Sequence, residues 1–127
     1  MNLQEYNFVV FAEEHYNPLG VIRSLGEAGL NPIGIIVKNK IKLASKSKYL
    51  SKVYYVSNRT EGLKILLKKY SNQYRKTFVY TCDDTTEELL DNHYNELKEN
   101  FFFFNAGKEG RVSVFMNKDV IGKLALK

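Results

Sequence analysis

The chain has 127 residues, a length at which one domain is the default and two would be crowded. Apolar residues make up 44% and charged residues 26%, which excludes a disordered or low-complexity chain and is typical of a soluble globular domain. No apolar run approaches the ~20 residues of a membrane span. The first residues also lack the basic and then apolar pattern of a signal peptide. We therefore expect a cytoplasmic protein without a membrane partner.

The single cysteine, Cys82, excludes an internal disulfide and a cysteine-rich zinc site.

The net charge of +5 is concentrated in one stretch. Six lysines occur there without an acidic residue between them: Lys38, Lys40, Lys42, Lys46, Lys48 and Lys52. Because the rest of the chain is close to neutral, this distribution favours one anion site or one solvated loop over a broad basic face. A nucleic-acid partner is accordingly disfavoured.

Short apolar runs alternate with stretches of helical spacing. The predicted strands cover residues 6–12, 33–37, 53–56, 77–81 and 101–104, all rich in β-branched or aromatic residues. Consecutive strand residues point to opposite faces, so the last run, Phe101 to Phe104, is expected to fill both sides of a central strand.

Helix signals fall between these runs. Asn17 is predicted to cap a first helix, with Pro18 at its first position and Gly29 ending it in the left-handed region. A second helix is predicted from about Thr60, with Thr60 as its cap. A third is predicted from Asp84, which would form a capping box with Glu87, to residue 97. A final amphipathic stretch covers residues 112–126.

This alternation predicts a Rossmann-like, three-layer α/β/α domain over residues 1–127 with a five-stranded, mainly parallel sheet. Ligands of such sheets bind beyond the carboxyl ends of the strands, where the strand order reverses. If the first and fourth strands flank that point, the loops 13–17 and 82–86 face each other across one crevice.

The loop after the first strand argues against a dinucleotide site. It contains Glu13 and Glu14 but no glycine before Gly20, so it matches neither G-x-G-x-x-G nor a phosphate-binding Walker loop. Two carboxylates there would repel a pyrophosphate.

The crevice could instead carry acid–base or metal chemistry, but a solvated turn is the favoured reading, so no metal site is predicted. The candidate crevice residues are Glu13, Glu14, His15, Asn17, Arg23, Asp83, Asp84 and Thr85. Of the remaining reactive side chains, His93 is expected to be packed, and Cys82 to be a buried inert thiol rather than a nucleophile activated by the next helix.

Four segments in order resemble one family, the pre-ATP-grasp domain at the N-terminus of ATP-grasp ligases. The branch they resemble is that of the carboxylate–amine ligases related to the carbamoyl-phosphate synthase large subunit. The segments are Arg23-Ser24-Leu25-Gly26 with Gly29; Ala44, Ser47, Lys48 and Tyr49; Tyr80-Thr81-Cys82-Asp83-Asp84; and Met116-Asn117-Lys118. At position 48 this chain has Lys48 where the family has arginine, and at position 117 it has Asn117 where the family has aspartate. The proline that the family has in the turn after its fourth strand is absent from this chain.

The resemblance implies the substrate-side lobe of a ligase that is not catalytic alone, and it assigns no catalytic residue to this chain. Its partners would be a small carboxylate and an ATP-grasp domain of the same polypeptide. That domain would hold ATP and Mg²⁺, with Lys118 near the ATP and residues 117–127 as a connector helix.

Two alternatives remain open. One is a free-standing flavodoxin-like or receiver-like module that binds a small ligand or anion. The receiver version is disfavoured because the third strand ends Val56-Ser57-Asn58, without a phosphorylatable aspartate. The other is a nucleic-acid binder that uses the lysine stretch.

Overall fold

The computed structural model describes residues 5–71, 75–106 and 112–114. The elements in these residues are, in order, β1 (Asn7–Glu13), α1 (Asn17–Glu27), β2 (Ile33–Val37), β3 (Lys52–Val56), α2 (Arg59–Lys69), β4 (Thr77–Thr81), α3 (Asp84–Asn92), α4 (Tyr94–Leu97), β5 (Phe101–Ala106) and β6 (Val112–Val114). A 3-10 turn at Ala44–Lys46 lies in the connection between β2 and β3. Within the described residues, no helix is long and apolar enough to cross a membrane.

The strands form one sheet in the order β3-β2-β1-β4-β5-β6. The first five strands are parallel, and β6 pairs antiparallel with β5. The predicted mainly parallel sheet is therefore confirmed, and its order reverses between β1 and β4, as the crevice hypothesis requires.

The sixth strand corrects the interpretation of residues 112–126 as one amphipathic stretch. Val112–Val114 is extended and pairs with β5, with Phe104 opposite Val114. The alternating Val-Ser-Val sequence suits a strand that adds to a sheet edge. The rest of that stretch, with Lys118 and the predicted connector helix 117–127, lies outside the described residues.

Helices cover both faces of the sheet, which confirms the three-layer prediction. Val9 and Phe11 belong to the core beneath α2, α3 and α4, whereas Phe8, Val10 and Ala12 belong to the core beneath α1 and the 3-10 turn. This alternation follows from the two-residue period of a strand. From β1 the connections run toward β3 at one edge, and after β3 they run the opposite way toward β5. Right-handed crossovers in opposite directions lie on opposite faces, so α1 lies on one face of the sheet and the later helices on the other.

The phenylalanines of β5 divide between the two cores as predicted. Phe101 and Phe103 are fully buried on the α2 face, and Phe102 is buried on the other face. There the Phe102 ring lies 5.1 Å from that of Phe78, measured between centroids.

The end of α1 follows the sequence prediction. Gly29 has a φ of +75°, in the left-handed region. Its N–H donates to the carbonyl of Gly26 at 3.0 Å, and the N–H of Leu30 donates to the carbonyl of Leu25 at 3.0 Å. These two bonds define a Schellman motif, which satisfies carbonyls that the helix end would leave unpaired.

The capping residues of α2 and α3 lie earlier in the chain than predicted. Asn58, not Thr60, caps α2, and its side-chain oxygen accepts a backbone N–H at 2.9 Å. Asp83, not Asp84, caps α3, and its carboxylate accepts a backbone N–H at 2.7 Å. In both cases the extended residue that leaves the strand end is the one placed to cap the helix.

Candidate functional site

The candidate site lies at the carboxyl ends of β1 and β4. Phe11 and Thr81 form the last residue pair between β1 and β4. Beyond it β1 leads to α1 on one face of the sheet, and β4 leads to α3 on the other. Glu13 and Asp83 follow on either side of the opening. This is the position in which open α/β sheets bind ligands.

Arg59 bridges the crevice between its two loops. This first residue of α2 directs one guanidinium nitrogen, Nη2, toward both carboxylates, 3.9 Å from Glu13 Oε1 and 3.4 Å from Asp83 Oδ1. Its Nε donates to the hydroxyl of Thr86 at 3.0 Å. The structure thus brings together Glu13 and Asp83, which the sequence predicted to face each other, through a cation that the sequence analysis did not select.

The charge of this cluster excludes a phosphate cradle of the usual kind. Glu13 and Asp83 remain 40% and 30% exposed, and Asp84 is exposed beside them, against the single guanidinium of Arg59. A phosphate site needs converging N–H groups without competing carboxylates. The cation that a negatively charged ligand would meet here is Arg59.

Glu14 does not line the crevice, which corrects its assignment as a crevice residue. Its side chain is fully buried and turns toward the β2–β3 connection. One carboxylate oxygen accepts the backbone N–H groups of Leu43 at 3.1 Å and Ser45 at 3.2 Å, and the other accepts the hydroxyl of Ser45. Glu14 therefore fixes the 3-10 turn in place.

His15 and Asn17 complete the turn into α1. His15 is exposed, and its Nδ1 accepts the backbone N–H of Asn17 at 3.2 Å. Asn17 is the first residue of the helix, with Tyr16 at the capping position, so the prediction that Asn17 caps α1 is wrong. The His15 ring replaces the expected side-chain cap.

The other candidates in this region are exposed. Asp84 and Thr85 lie in the first turn of α3, next to the crevice and open to solvent. Arg23 is an exposed residue six positions into α1, and its Nε donates to Glu27 Oε1 at 2.8 Å. Its position places it roughly 9 Å along the helix from the crevice, because an α-helix rises 1.5 Å per residue.

Cys82 is a buried thiol. Desolvation, with a smaller effect of the Asp83 charge, raises the pKa of Cys82 to about 12. The thiolate is the nucleophilic form of cysteine, so this environment does not activate the side chain. The inert-thiol interpretation therefore agrees with the structure.

His93 lies at a break between two helices. The predicted continuous helix ends at Asn92 and resumes at Tyr94. His93 is half-buried, and its Nδ1 lies 3.0 Å from Glu96 Oε1, away from the crevice. Among the described residues, no group of three or more His, Cys, Asp or Glu side chains could hold a metal ion.

Comparisons with known proteins give no relative. No family model matches the chain, and no curated protein or solved structure matches it significantly.

Proposed function

We propose that the chain is the N-terminal, substrate-side lobe of a cytoplasmic ATP-grasp ligase that joins a carboxylate to an amine. In this reaction the carboxylate attacks the γ-phosphate of ATP and releases ADP. The amine then displaces phosphate from the acyl phosphate. The lobe is not catalytic alone. An ATP-grasp domain of the same polypeptide holds ATP and Mg²⁺.

The observation that carries this proposal is a contact between two of the segments that resemble the family. A Cβ atom placed on Gly26 would lie 2.6 Å from Tyr49 Cβ, so only glycine allows this approach. The hydrogen bond to Glu27 and its charge, and to a smaller extent the nearby Tyr49 side chain, raise the pKa of Arg23. The segments 23–26 and 44–49 therefore form one structural unit, which supports treating them as one motif.

The crevice supports the same proposal through its chemistry. It occupies the ligand position of an open α/β sheet, yet Glu13 and the absence of glycine leave no place for a dinucleotide. We assign Arg59 the contact with the substrate carboxylate. Its longest interaction, 3.9 Å to Glu13, is the one that an incoming carboxylate would replace.

The test begins with the reading frame beyond the codon for Lys127. The proposal expects it to continue into an ATP-grasp domain. The longer polypeptide should release ADP over many turnovers only when a carboxylate and an amine are both supplied from a substrate panel, because without the amine the reaction stops at the acyl phosphate. A frame that encodes no such domain would contradict the proposal.

Variants of the longer polypeptide then test the site. Arg59→Met should raise the KM for the carboxylate, whereas the matched variant Lys64→Met, at an exposed position of the same helix, should leave it unchanged. An unchanged carboxylate KM in Arg59→Met would remove the role assigned to this side chain.

A free-standing flavodoxin-like module that binds a small ligand or anion is the second candidate. It is favoured by the fact that Glu13, Arg59 and Asp83 form their cluster within this chain alone. Backbone amide NMR of the 127-residue chain against a metabolite panel distinguishes the two. Micromolar binding at the crevice with no downstream domain would favour the module.

A further inference from the structure

The outer edge of β3 is an open strand edge. β3 is the terminal strand of the sheet, and no other described strand pairs with its outer side. Lys52 and Val53 are exposed there, with Val53 at 38%, and Tyr54 and Tyr55 are half-buried. An edge of this kind presents backbone N–H and C=O groups that another extended chain could pair with.

The sequence around this edge is strongly basic. No acidic residue occurs between Glu27 and Glu61, while the same interval contains six lysines and Arg59. The rest of the chain has twelve basic and fourteen acidic residues. The positive charge of the protein therefore resides almost entirely in and beside β2 and β3.

The lysines lie on both faces of the edge. The Nζ atoms of Lys38 and Lys42 lie 5.6 and 5.5 Å from the ring centroid of Tyr55, which packs on the α1 side of the sheet. The Nζ of Lys52 lies 5.0 Å from the centroid of Tyr54, which packs on the α2 side. A strand added to this edge would alternate its side chains between the same two faces, so acidic residues on either side would meet a cation.

These contacts distinguish between possible partners. A second copy of the chain would bring the same lysines together, and like charges across a strand pair destabilise it. Single-stranded nucleic acid stacks its bases on open aromatic faces, but here the ammonium groups of Lys38, Lys42 and Lys52 lie against the half-buried rings of Tyr55 and Tyr54.

We propose that the β3 edge, defined as Lys38, Lys42 and Lys52–Tyr55, binds an acidic extended segment of another protein as an added strand. Backbone hydrogen bonds hold the segment, and the lysines on the two faces select for glutamate or aspartate. This interaction is separate from the crevice and does not depend on the ligase proposal.

A synthetic peptide tests the inference on the full chain. The peptide Glu-Glu-Val-Thr-Glu-Glu-Val-Thr, acetylated, amidated and fluorescently labelled, places two glutamates on each face of a strand. We expect it to bind in an anisotropy titration at low salt. We also expect N-methylation of its valines and first threonine to weaken binding at least about tenfold, because methylation blocks both backbone edges without changing the charge.

Protein variants test the charges. The double variant Lys38→Glu and Lys52→Glu, which reverses one lysine on each face, should weaken binding at least about tenfold. The matched double variant Lys64→Glu and Lys68→Glu, at exposed positions of α2, should change it less than about twofold. The N-methylated peptide is measured on the unaltered protein, so this arm stands even if a variant fails to fold.

Three results would overturn the inference. The first is equal binding of the methylated and unmethylated peptides, which would reduce the effect to charge alone. The second is tighter binding of an oligothymidylate of equal charge, which would identify a nucleic-acid surface. The third is no binding of the peptide up to ~1 mM, a concentration that corresponds to a free energy of only about −4 kcal/mol.

Discussion

Glu14 is the only charged side chain that is fully buried among the residues the structure describes. A buried carboxylate is stable only when its oxygens are paired, and here they accept three hydrogen bonds from Leu43 and Ser45. All three donors belong to the β2–β3 connection. One residue at the end of β1 therefore holds the segment that carries the first lysines of the basic stretch.

Replacing Glu14 should destabilise the protein more than replacing an exposed glutamate. Glu14→Ala leaves two backbone N–H groups unpaired, and we expect a loss of about 2–3 kcal/mol in the free energy of unfolding. Glu14→Gln keeps an acceptor oxygen and should lose less. Urea denaturation gives the values, with the exposed Glu88→Ala as control. Equal midpoints for Glu14→Ala and Glu88→Ala would contradict this role.

The two glycines of α1, Gly20 and Gly26, and Gly29 just after its end should respond in different directions to replacement by alanine. Gly26→Ala meets Tyr49 at 2.6 Å and should cost about 1–3 kcal/mol, and Gly29→Ala at φ +75° should cost about 1 kcal/mol. A Cβ on Gly20 meets nothing within 4 Å, so Gly20→Ala should stabilise the helix by about 0.4–1 kcal/mol. Thermal denaturation ranks the three variants. Destabilisation by Gly20→Ala, or none by Gly26→Ala, would show that α1 packs differently.

The Cys82 thiol should react slowly in the native protein. Burial raises its pKa from 9.0 to about 12, which lowers the thiolate fraction at pH 8 about a thousandfold. Alkylation by iodoacetamide, followed by mass spectrometry, should be correspondingly slower in the native chain than in urea. A native rate within tenfold of the unfolded rate would mean that the thiol is accessible and ionised.

At the residue scale the sequence predicted part of the crevice. Glu13 and Asp83 lie at the ends of apolar strands, so parallel pairing places them at the same end of the sheet. Their approach also requires that β1 and β4 be neighbours. Arg59 and the burial of Glu14 depend on which helix and which loop pack beside them, and Glu14 has no local signal. For Arg59 the available hint was a basic residue three positions after the end of the third strand.

Helix capping explains where the elements begin, and it gives a paired test. Asn58→Ala should cost about 1 kcal/mol because it removes the cap of α2, whereas Thr60→Ala should cost little. In α3, Asp83→Ala should cost more than Asp84→Ala, since Asp83 also contacts Arg59. The denaturation midpoints of the four variants show which residue of each pair caps its helix. If Thr60→Ala were more destabilising than Asn58→Ala, or Asp84→Ala more than Asp83→Ala, the capping residue would be the one predicted from the sequence.

The caps were misplaced for a physical reason. Asp83 and Asp84 are both good capping residues, and Asn58 and Thr60 both belong to residue types found as caps, so local rules leave two candidates for each helix start. Which of the two residues caps the helix depends on where the preceding strand ends. The strands β1 to β5 were predictable because their apolar runs are short and continuous, whereas β6 is three residues long and its pairing with β5 is a tertiary contact.

At the scale of the whole molecule, the strand order places every functional feature. Alternation of strands and helices predicts parallel pairing but not the order β3-β2-β1-β4-β5-β6. That order puts the β1–β4 reversal, with Arg59, near the middle of the sheet and β3 with its lysines at the edge. The crevice and the basic edge are therefore separate surfaces of one domain.

The proposed function gives this lobe a substrate crevice and leaves nucleotide binding to an ATP-grasp domain. The turn after β1 supports that division: it has no glycine before Gly20, and Glu13 lies at the crevice, so the turn offers no cradle for phosphates.

Titration calorimetry with Mg-ATP, on the 127-residue chain and on the proposed longer polypeptide, tests this division of roles. We expect no saturable heat for the 127-residue chain up to ~1 mM nucleotide and a single site on the longer polypeptide. Micromolar binding of Mg-ATP to the 127-residue chain would contradict it.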